Sequence, residues 1–342
     1  MIEIDGSYKE GGGALLRVST ALSALTGKKF RIKNIRAGRP KPGMMMQHLT
    51  SVSTIGKISN AQITGLDVGS TQMEFVPGKL TSKKIDVDVK TAGSISLILQ
   101  ALIIPAIFTP EGVSITIKGG TDVRWAPSVD YLRHVTIPLL QSMGVSVDLE
   151  LLRRGHYPRG GGLVKALIKP VKKLKTLNIH ELKVDVIKGI SHSTQLPRHV
   201  ATRQADSAQK TLNSAGYDVE IEIESEGDAT SPGSGLVLWS EFKGKRIPRV
   251  GASSLGKPGK PAEVVGREAA TEILSSISRG AALDQYMGDQ IIPYLAIAGA
   301  SSVKIAKLTN HTLTNIYAAE KFIDCRFNIK SSTDEVTLVE VE

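Results

Sequence analysis

The sequence predicts a mixed α/β (α+β) chain in which three repeated β-α-β-α-β-β units form the large domain and a smaller α/β domain is inserted in the third unit. Three observations carry that expectation. A glycine-containing turn, an apolar helical stretch of about a dozen residues and an alternating strand recur three times. Each recurrence leads into a second helical stretch and then two more strands. The third is interrupted by about a hundred residues with helix and strand patterning of their own. The limits read from this are residues 1–179 with 280–342 for the large domain and 180–279 for the inserted one.

In order, the first unit opens with a strand at Ile2–Ile4 and a helix from Gly11 to Leu25, which breaks at Gly27. A strand at Phe30–Ile35, a helix at Met45–Ile58 and strands near Ala61–Ile63 and Met73–Val76 complete it. The second unit has a strand at Ile85–Val89, an apolar helix from Gly93 to Phe108, a break at Gly112 and the alternating strand Val113–Lys118. It continues through a helix at Ser128–Met143 and strands at Val145–Leu151 and Leu163–Ile168. The third unit begins at Leu177–Ile179 and resumes with a helix at Asp289–Ala298, which stops at Gly299. A strand at Val303–Ile305, a helix at Leu313–Phe322 and strands at Arg326–Ile329 and Val336–Val341 follow. Within the insertion, strands are expected at Lys183–Ile190, Val219–Ile223 and Leu236–Trp239, with helices at Pro197–Ala215 and Pro261–Ser278. Units of this kind lay their helices on one face of a mixed sheet, and three of them can bury those faces against one another.

Composition narrows the class. A chain of 342 residues is longer than one core usually holds, which agrees with two domains. Thirty-three glycines against 6 Phe, 7 Tyr and 2 Trp imply an aliphatic core and many tight turns. The single cysteine, Cys325, rules out a disulfide framework and a cysteine-based zinc site. The longest apolar stretch, Ile95–Phe108, is interrupted by Gln100 and Pro105, so no membrane span is expected. The first residues carry no basic segment followed by an apolar block, and a cytoplasmic protein is expected.

The net charge of +10 is unevenly placed. Between Glu10 and Asp67 no acidic residue occurs, whereas Arg17, Lys28, Lys29, Arg31, Lys33, Arg36, Arg39, Lys41 and Lys57 all do. A field of one sign attracts polyanions such as nucleic acid. Arg17, Arg36 and Arg39 stand among glycines and apolar residues, a setting that suits bidentate contact with phosphate.

Three segments carry the chemistry. In Asp5-Gly-Ser-Tyr-Lys-Glu10-Gly-Gly-Gly, three glycines at a helix start let backbone N–H groups approach an anion, with Glu10 placed to cap the helix or ligate a metal. Arg36-Ala-Gly-Arg39-Pro-Lys-Pro-Gly43 projects arginines from a proline-stiffened loop ahead of Gln47 and His48. Asn310-His311-Thr-Leu-Thr-Asn315 sets a histidine at a helix N-terminus, where capping by Asn310 or Thr312 explains the polar residues equally well. A neutral imidazole there can act as a nucleophile toward phosphorus. Gly251–Lys257 fits Walker A spacing, but Pro258 stands where the Mg²⁺-binding hydroxyl belongs, so it is read as coincidence. The two His-x-Thr triplets at His48 and His192 suggest a two-histidine phosphoesterase, but they fall in different domains. No histidine or cysteine metal cluster shows in the spacing, so a catalytic metal would be Mg²⁺ or Mn²⁺ on phosphate oxygens and one carboxylate.

Taken together, these segments resemble the RNA 3′-terminal phosphate cyclase family over essentially the whole chain. The resemblance rests on Asp5-Gly…Glu10-Gly-Gly-Gly…Arg17, Arg36-Ala-Gly-Arg39-Pro-Lys-Pro-Gly43…Gln47-His48, Ala92-Gly-Ser94…Gln100 and Gly119-Gly-Thr121…Ala126-Pro127. Gly155-His-Tyr-Pro158…Gly160-Gly-Gly162, Tyr286-Met-Gly-Asp289-Gln290 and His311-Thr-Leu-Thr314-Asn315 extend it. It implies an ATP-dependent closure of an RNA 3′-phosphate end to a 2′,3′-cyclic phosphate, with His311 as the nucleophile that carries AMP. It further implies Gln100, Tyr286, Met287, Gly288, Asp289 and Gln290 as nucleotide contacts, and Pro127 with Tyr286 around the adenine. Arg17, Arg36, Arg39 and Gln47 would be phosphate ligands and Glu10 the partner of a divalent cation, Mg²⁺ or Mn²⁺. The expected partners are ATP and RNA bearing a 3′-phosphate, with no membrane; a homo-oligomer is left open. Lys9 and Ala14 depart from the glycine and glutamine the family pattern leads one to expect. The alternative within the same fold is a non-catalytic RNA-binding ribosome-assembly relative.

Overall fold

The computed structural model describes residues 1–225, 227–242, 249–331 and 336–342. The first unit contains β1 (Ile2–Asp5), α1 (Ala14–Thr26), β2 (Phe30–Lys33), α2 (Met46–Ser59), β3 (Gln62–Thr64) and β4 (Met73–Val76). The second contains β5 (Lys83–Asp88), α3 (Ile95–Ala106), β6 (Val113–Gly119), α4 (Val129–Tyr131), a π-helical turn at Leu132–Thr136, α5 (Ile137–Ser142), β7 (Ser146–Arg153) and β8 (Gly162–Lys169). After β9 (Asn178–Ile179), the chain runs through β10 (Val186–Thr194), α6 (Arg198–Ser214), β11 (Asp218–Glu224), β12 (Gly233–Glu241), β13 (Gly251–Leu255) and α7 (Ala262–Ser278). It closes with α8 (Gln285–Ala298), β14 (Ser301–Ile305), α9 (Asn310–Phe322), β15 (Phe327–Ser331) and β16 (Thr337–Val341).

The repetition holds at the level of hydrogen bonding. The sheets run β1-β2-β4-β3, β5-β6-β8-β7 and β9-β14-β16-β15, and in each the first pair is parallel and the others antiparallel. The remaining sheet, β11-β10-β12-β13, has a different order, so it is not a fourth copy. One face of every repeated sheet alternates into the interior, as in β6 (Ile115, Ile117) and β14 (Val303, Ile305). The helices of the three units meet in one aliphatic cluster that includes Leu15, Leu22, Ile98, Leu102, Ile291, Leu295 and Ala319. Helix α3 lies at this junction, and nearly all of its residues are buried, which is why it is apolar on every side.

The insertion's sheet carries α6 and α7 on one face around Ile187, Leu212, Leu236, Val265 and Ile273. Its other face sets Ile190, Val237 and Trp239 against Tyr131 and Val135 of the second unit. The approach is close: a side chain on Gly251 would stand 2.6 Å from Val135 and 2.8 Å from Tyr131. Among the described residues no helix is long and apolar enough to cross a membrane.

Several limits differ from expectation; the second helix of the second unit, for example, is interrupted by the π-helical turn, and two helix starts and one added strand bear on the site. Helix α8 starts at Gln285, because Asp284 caps it by accepting hydrogen bonds from the Tyr286 and Met287 N–H groups, both 2.9 Å. Helix α9 starts at Asn310, so His311 lies in its first turn and not in the preceding loop. Gly251–Leu255 forms strand β13, paired with β12, which confirms that the Walker-like spacing is not a phosphate loop.

Candidate active site

The site forms where the first and third units touch. Loop 6–13 must turn sharply into α1, and each glycine there has a separate reason. Gly11 adopts a φ of +57°, and its carbonyl accepts the Gly38 N–H at 3.0 Å, tying this loop to the arginine loop. A Cβ on Gly12 would strike the Glu10 carboxylate, and one on Gly13 would strike the His48 ring. Lys9 holds a φ of +52°, a conformation that suits the glycine expected at that position and that costs the lysine found there backbone strain. Across the unit boundary Tyr8 stacks on Tyr317 of α9, with ring centroids 4.3 Å apart.

The Glu10 side chain is largely covered, and its Oε1 pairs with the Arg39 guanidinium. The same oxygen lies 3.8 Å from His311 Nε2, while Oε2 has no hydrogen-bond partner among the described residues. His311 is half exposed at the second position of α9. Thr309 is the N-cap of that helix, its Oγ1 accepting the Thr312 N–H at 3.0 Å, and Thr312 completes the capping box by accepting the Thr309 N–H on its Oγ1 at 3.2 Å. The Thr309 and Thr312 hydroxyls both donate to Asp289 Oδ1, at 2.5 and 2.6 Å, and Asn315 Nδ2 donates to the Asp289 carbonyl at 2.7 Å. Asp289 therefore sets the start of α9, and with it His311. Partial burial, reinforced by Arg17 and Arg39 and opposed by the Asp289 carboxylate, keeps the His311 imidazole below its ordinary pKa and neutral at pH 7.

Arg17 reaches back from α1 to Gly13 and His48; burial lowers its pKa to about 10, which leaves it cationic. His48 accepts the Met45 N–H on Nδ1 at 3.2 Å and is pushed down to about 3, by burial first and then by Arg17 and Arg36. It is thus a neutral partner to Arg17, a role that its position on α2 alone did not reveal. Arg36 spends Nη1 on the carbonyls of Lys41 (2.8 Å) and Gly43 (2.7 Å), which holds the arginine loop in shape. Gln47 accepts the Ser94 N–H at 2.7 Å and so joins α2 to the capped start of α3. Within the basic run, Arg31 is committed to Glu74 and Lys28 to the Phe322 carbonyl, so part of that charge is used within the protein.

The second group of expected residues lies along α3, the π-helical turn and α8. Gln100 Nε2 donates to Gln290 Oε1 at 2.8 Å, and Thr136 donates to the same oxygen at 2.9 Å. Tyr286 is exposed on one side, donates to Glu272 at 2.7 Å and meets Tyr131 edge-on at 6.3 Å. Met287 and Gly288 point into the core, Gly288 against Ile305, so their side of α8 offers packing in place of polar contact. Pro127 is half-buried, and its carbonyl accepts the Ser96 hydroxyl.

The structure defines a three-unit α/β protein whose first and third units bring together two helix starts, two arginines, a buried carboxylate and a neutral imidazole, a set of groups able to receive an anion. A family model described as RNA 3′-terminal phosphate cyclase matches residues 8–329. Proteins named RNA 3′-terminal phosphate cyclase share this sequence over nearly their full lengths. That of Methanothermobacter thermautotrophicus is 49% identical over 341 residues, covering 100% of both chains. That of Thermococcus kodakarensis is 50% identical, covering 96% of this chain and 94% of its own, and that of Pyrococcus furiosus 47%, covering 98% and 97%. The chain belongs to the RNA 3′-terminal phosphate cyclase family.

Proposed function

We propose that this chain is an ATP-dependent enzyme that converts an RNA 3′-terminal phosphate to a 2′,3′-cyclic phosphate, with His311 as a covalent carrier of AMP. The observation that carries this reading is the neutral His311 imidazole in the first turn of α9, 3.8 Å from Glu10, with Arg17 and Arg39 beside it. Nε2 or Nδ1 of His311 attacks the α-phosphorus of ATP; a P–N bond forms and the bond to pyrophosphate breaks. A terminal oxygen of the RNA 3′-phosphate then attacks the same phosphorus, breaks the P–N bond and leaves RNA–pp–A. The adjacent 2′-hydroxyl attacks the terminal RNA phosphorus, loses its proton and expels AMP. The first two steps turn a phosphate oxygen into a good leaving group, and the third is intramolecular.

The residues support these steps in separable ways. Arg17 and Arg39 would offset charge developing on phosphate oxygens, and the N–H groups of Gly12 and Gly13 would add a dipole of the same sense. Asp289 orients His311 through the start of α9. The unpartnered Oε2 of Glu10 fits a divalent cation, which when bound would neutralise phosphate charge. Tyr286, Pro127, Gln100 and Gln290 are read as the nucleoside side of the site, and the basic loops as the RNA side. Residues 1–179 with 280–342 are read as the catalytic domain and 180–279 as an insertion, a division supported by the latter's own apolar core. We place the reaction in the cytoplasm.

The test is incubation of a 3′-phosphorylated oligoribonucleotide with ATP and Mg²⁺ or Mn²⁺. A terminus that resists phosphatase and reopens on acid treatment is expected from the wild type and not from His311→Ala. RNA binding without any such product would favour the non-catalytic reading.

A further inference from the structure

A second polar centre lies outside the nucleotide site, where the second unit meets the sheet of the insertion. Asp122 follows β6, His156 follows β7 and His192 lies on β10. The backbones of Asp122 and His156 pair as an isolated bridge, and Thr121 N–H donates to the Gly155 carbonyl at 2.8 Å. One donor atom from each of the three side chains lies within 4.8 Å of the others, and Asp122 Oδ1 stands 3.7 Å from His192 Nε2. The two imidazoles face each other with centroids 5.5 Å apart. Room for them comes from β12: a Cβ on Gly233 would strike the His156 ring, and one on Gly235 would stand 2.9 Å from His192 Cε1.

The donor atoms converge with their bonding capacity unused. Asp122, His156 and His192 are 3%, 5% and 0% exposed, yet Asp122 Oδ1, His156 Nε2 and both nitrogens of His192 make no hydrogen bond among the described residues. Burying such atoms without partners costs about 1–3 kcal/mol each, so this arrangement calls for something to bind them. The charge is also unbalanced. Arg154 reaches Asp122 (3.3 Å), Asp130 (2.7 Å) and Glu224 (2.6 Å), leaving three carboxylates on one guanidinium. Glu224 is partly exposed to water, so the buried carboxylates of Asp122 and Asp130 outnumber the guanidinium by one negative charge, which a bound cation would offset. Burial pushes both imidazoles below their ordinary pKa, into the neutral form that ligates metals.

We propose that Asp122, His156 and His192 bind one divalent first-row transition-metal ion of the zinc class, which clamps the β10–β13 sheet to the second unit. Two imidazoles and a carboxylate suit Zn²⁺ or Co²⁺ better than Mg²⁺. Tetrahedral ligation with bonds of about 2.0–2.1 Å places ligand atoms about 3.4 Å apart, close to the Asp122–His192 separation. The ion joins the second unit, through Asp122 and His156, to the insertion, through His192, so its role is structural and independent of the nucleotide reaction.

The full chain, stripped with a chelator and dialysed, is titrated with Co²⁺ while visible absorption, bound metal and thermal unfolding are followed. Expected are one tightly held equivalent with ligand-field absorption in the visible, displacement by Zn²⁺ and a higher unfolding temperature. The same equivalent should persist in His311→Ala and be lost in His192→Asn and Asp122→Asn. Failure of the wild type to bind a stoichiometric equivalent overturns the proposal, and this outcome needs no variant to fold. Retention of the equivalent in folded His192→Asn and Asp122→Asn, or its loss in His311→Ala, overturns it as well.

Discussion

Nε2 of His311 lies 3.8 Å from Oε1 of Glu10, and the two residues come from opposite ends of the chain, in the third and first units. Neither unit alone contains the site. The closure of three repeats around the aliphatic junction at α3 brings the glycine turn before α1 to face an imidazole.

That closure is held locally by the Tyr8–Tyr317 stack. Stacked pairs contribute about 0.5–1.5 kcal/mol beyond their burial. Tyr317→Ala should therefore slow transfer of AMP to the protein by about threefold to tenfold, with an unchanged far-ultraviolet circular dichroism spectrum. Tyr317→Phe should restore the rate. Pre-steady-state labelling of the three proteins checks this.

Asp289 holds the start of α9 through Thr309 and Thr312, and its carboxylate raises the imidazole's pKa against the effects of burial, Arg17 and Arg39. Asp289→Asn should lower the maximal rate by about tenfold or more, since it weakens two hydrogen bonds to a charged acceptor. It should also move the acid limb of the rate–pH profile to lower pH, because the imidazole then stays neutral further into acid. A purely structural role for Asp289 would lower the rate without moving the limb. A pH series of single-turnover rates reads both quantities.

Gly13 faces the His48 ring and Arg17 so closely that Gly13→Ala must displace one of them. Overpacking of this kind costs about 1–3 kcal/mol. Chemical denaturation should show that loss together with weaker ATP binding. Gly27→Ala provides the contrast: its Cβ would meet nothing, and only its φ of +71° is unfavourable, so stability should fall while ATP binding holds.

His48 gives stability a pH dependence of defined sign. Unfolded, it takes up a proton near 6.5; folded, it resists until about 3. Between these values the unfolded chain binds more protons, so its contribution is complete above pH 6.5 and is lost as pH falls toward 3. The slope is about 1.4 kcal/mol per pH unit. His48→Gln should be less stable than the wild type at pH 7 and should lose stability less steeply between pH 6 and 4, as measured by urea unfolding across that range.

Much of this was legible in the chain itself, because repeated helix-strand periodicity survives without sequence identity: the strands at Val113–Lys118 and Val303–Ile305 alternate as strands must. What escaped was polar or distant. The first turns of α8 and α9 are built from capping residues with no apolar rhythm, so both helices begin earlier than the pattern suggested. Strand β13 is rich in serine and glycine and resembles a loop until β12 pairs with it. Asp122, His156 and His192 lie too far apart in sequence for any spacing rule, and only the meeting of two sheets gathers them. The contact of His48 with Gly13 and Arg17 depends on how α1 and α2 cross, which no local pattern at His48 discloses.

The most direct test of the central claim is labelling with ATP carrying radioactive phosphorus at the α-position, in the presence of Mg²⁺ or Mn²⁺. The wild type should acquire a covalent label that acid removes and alkali does not, as a P–N bond requires, and His311→Ala should acquire none. A label of equal strength on folded His311→Ala, or no label on a wild type that binds ATP, would contradict it.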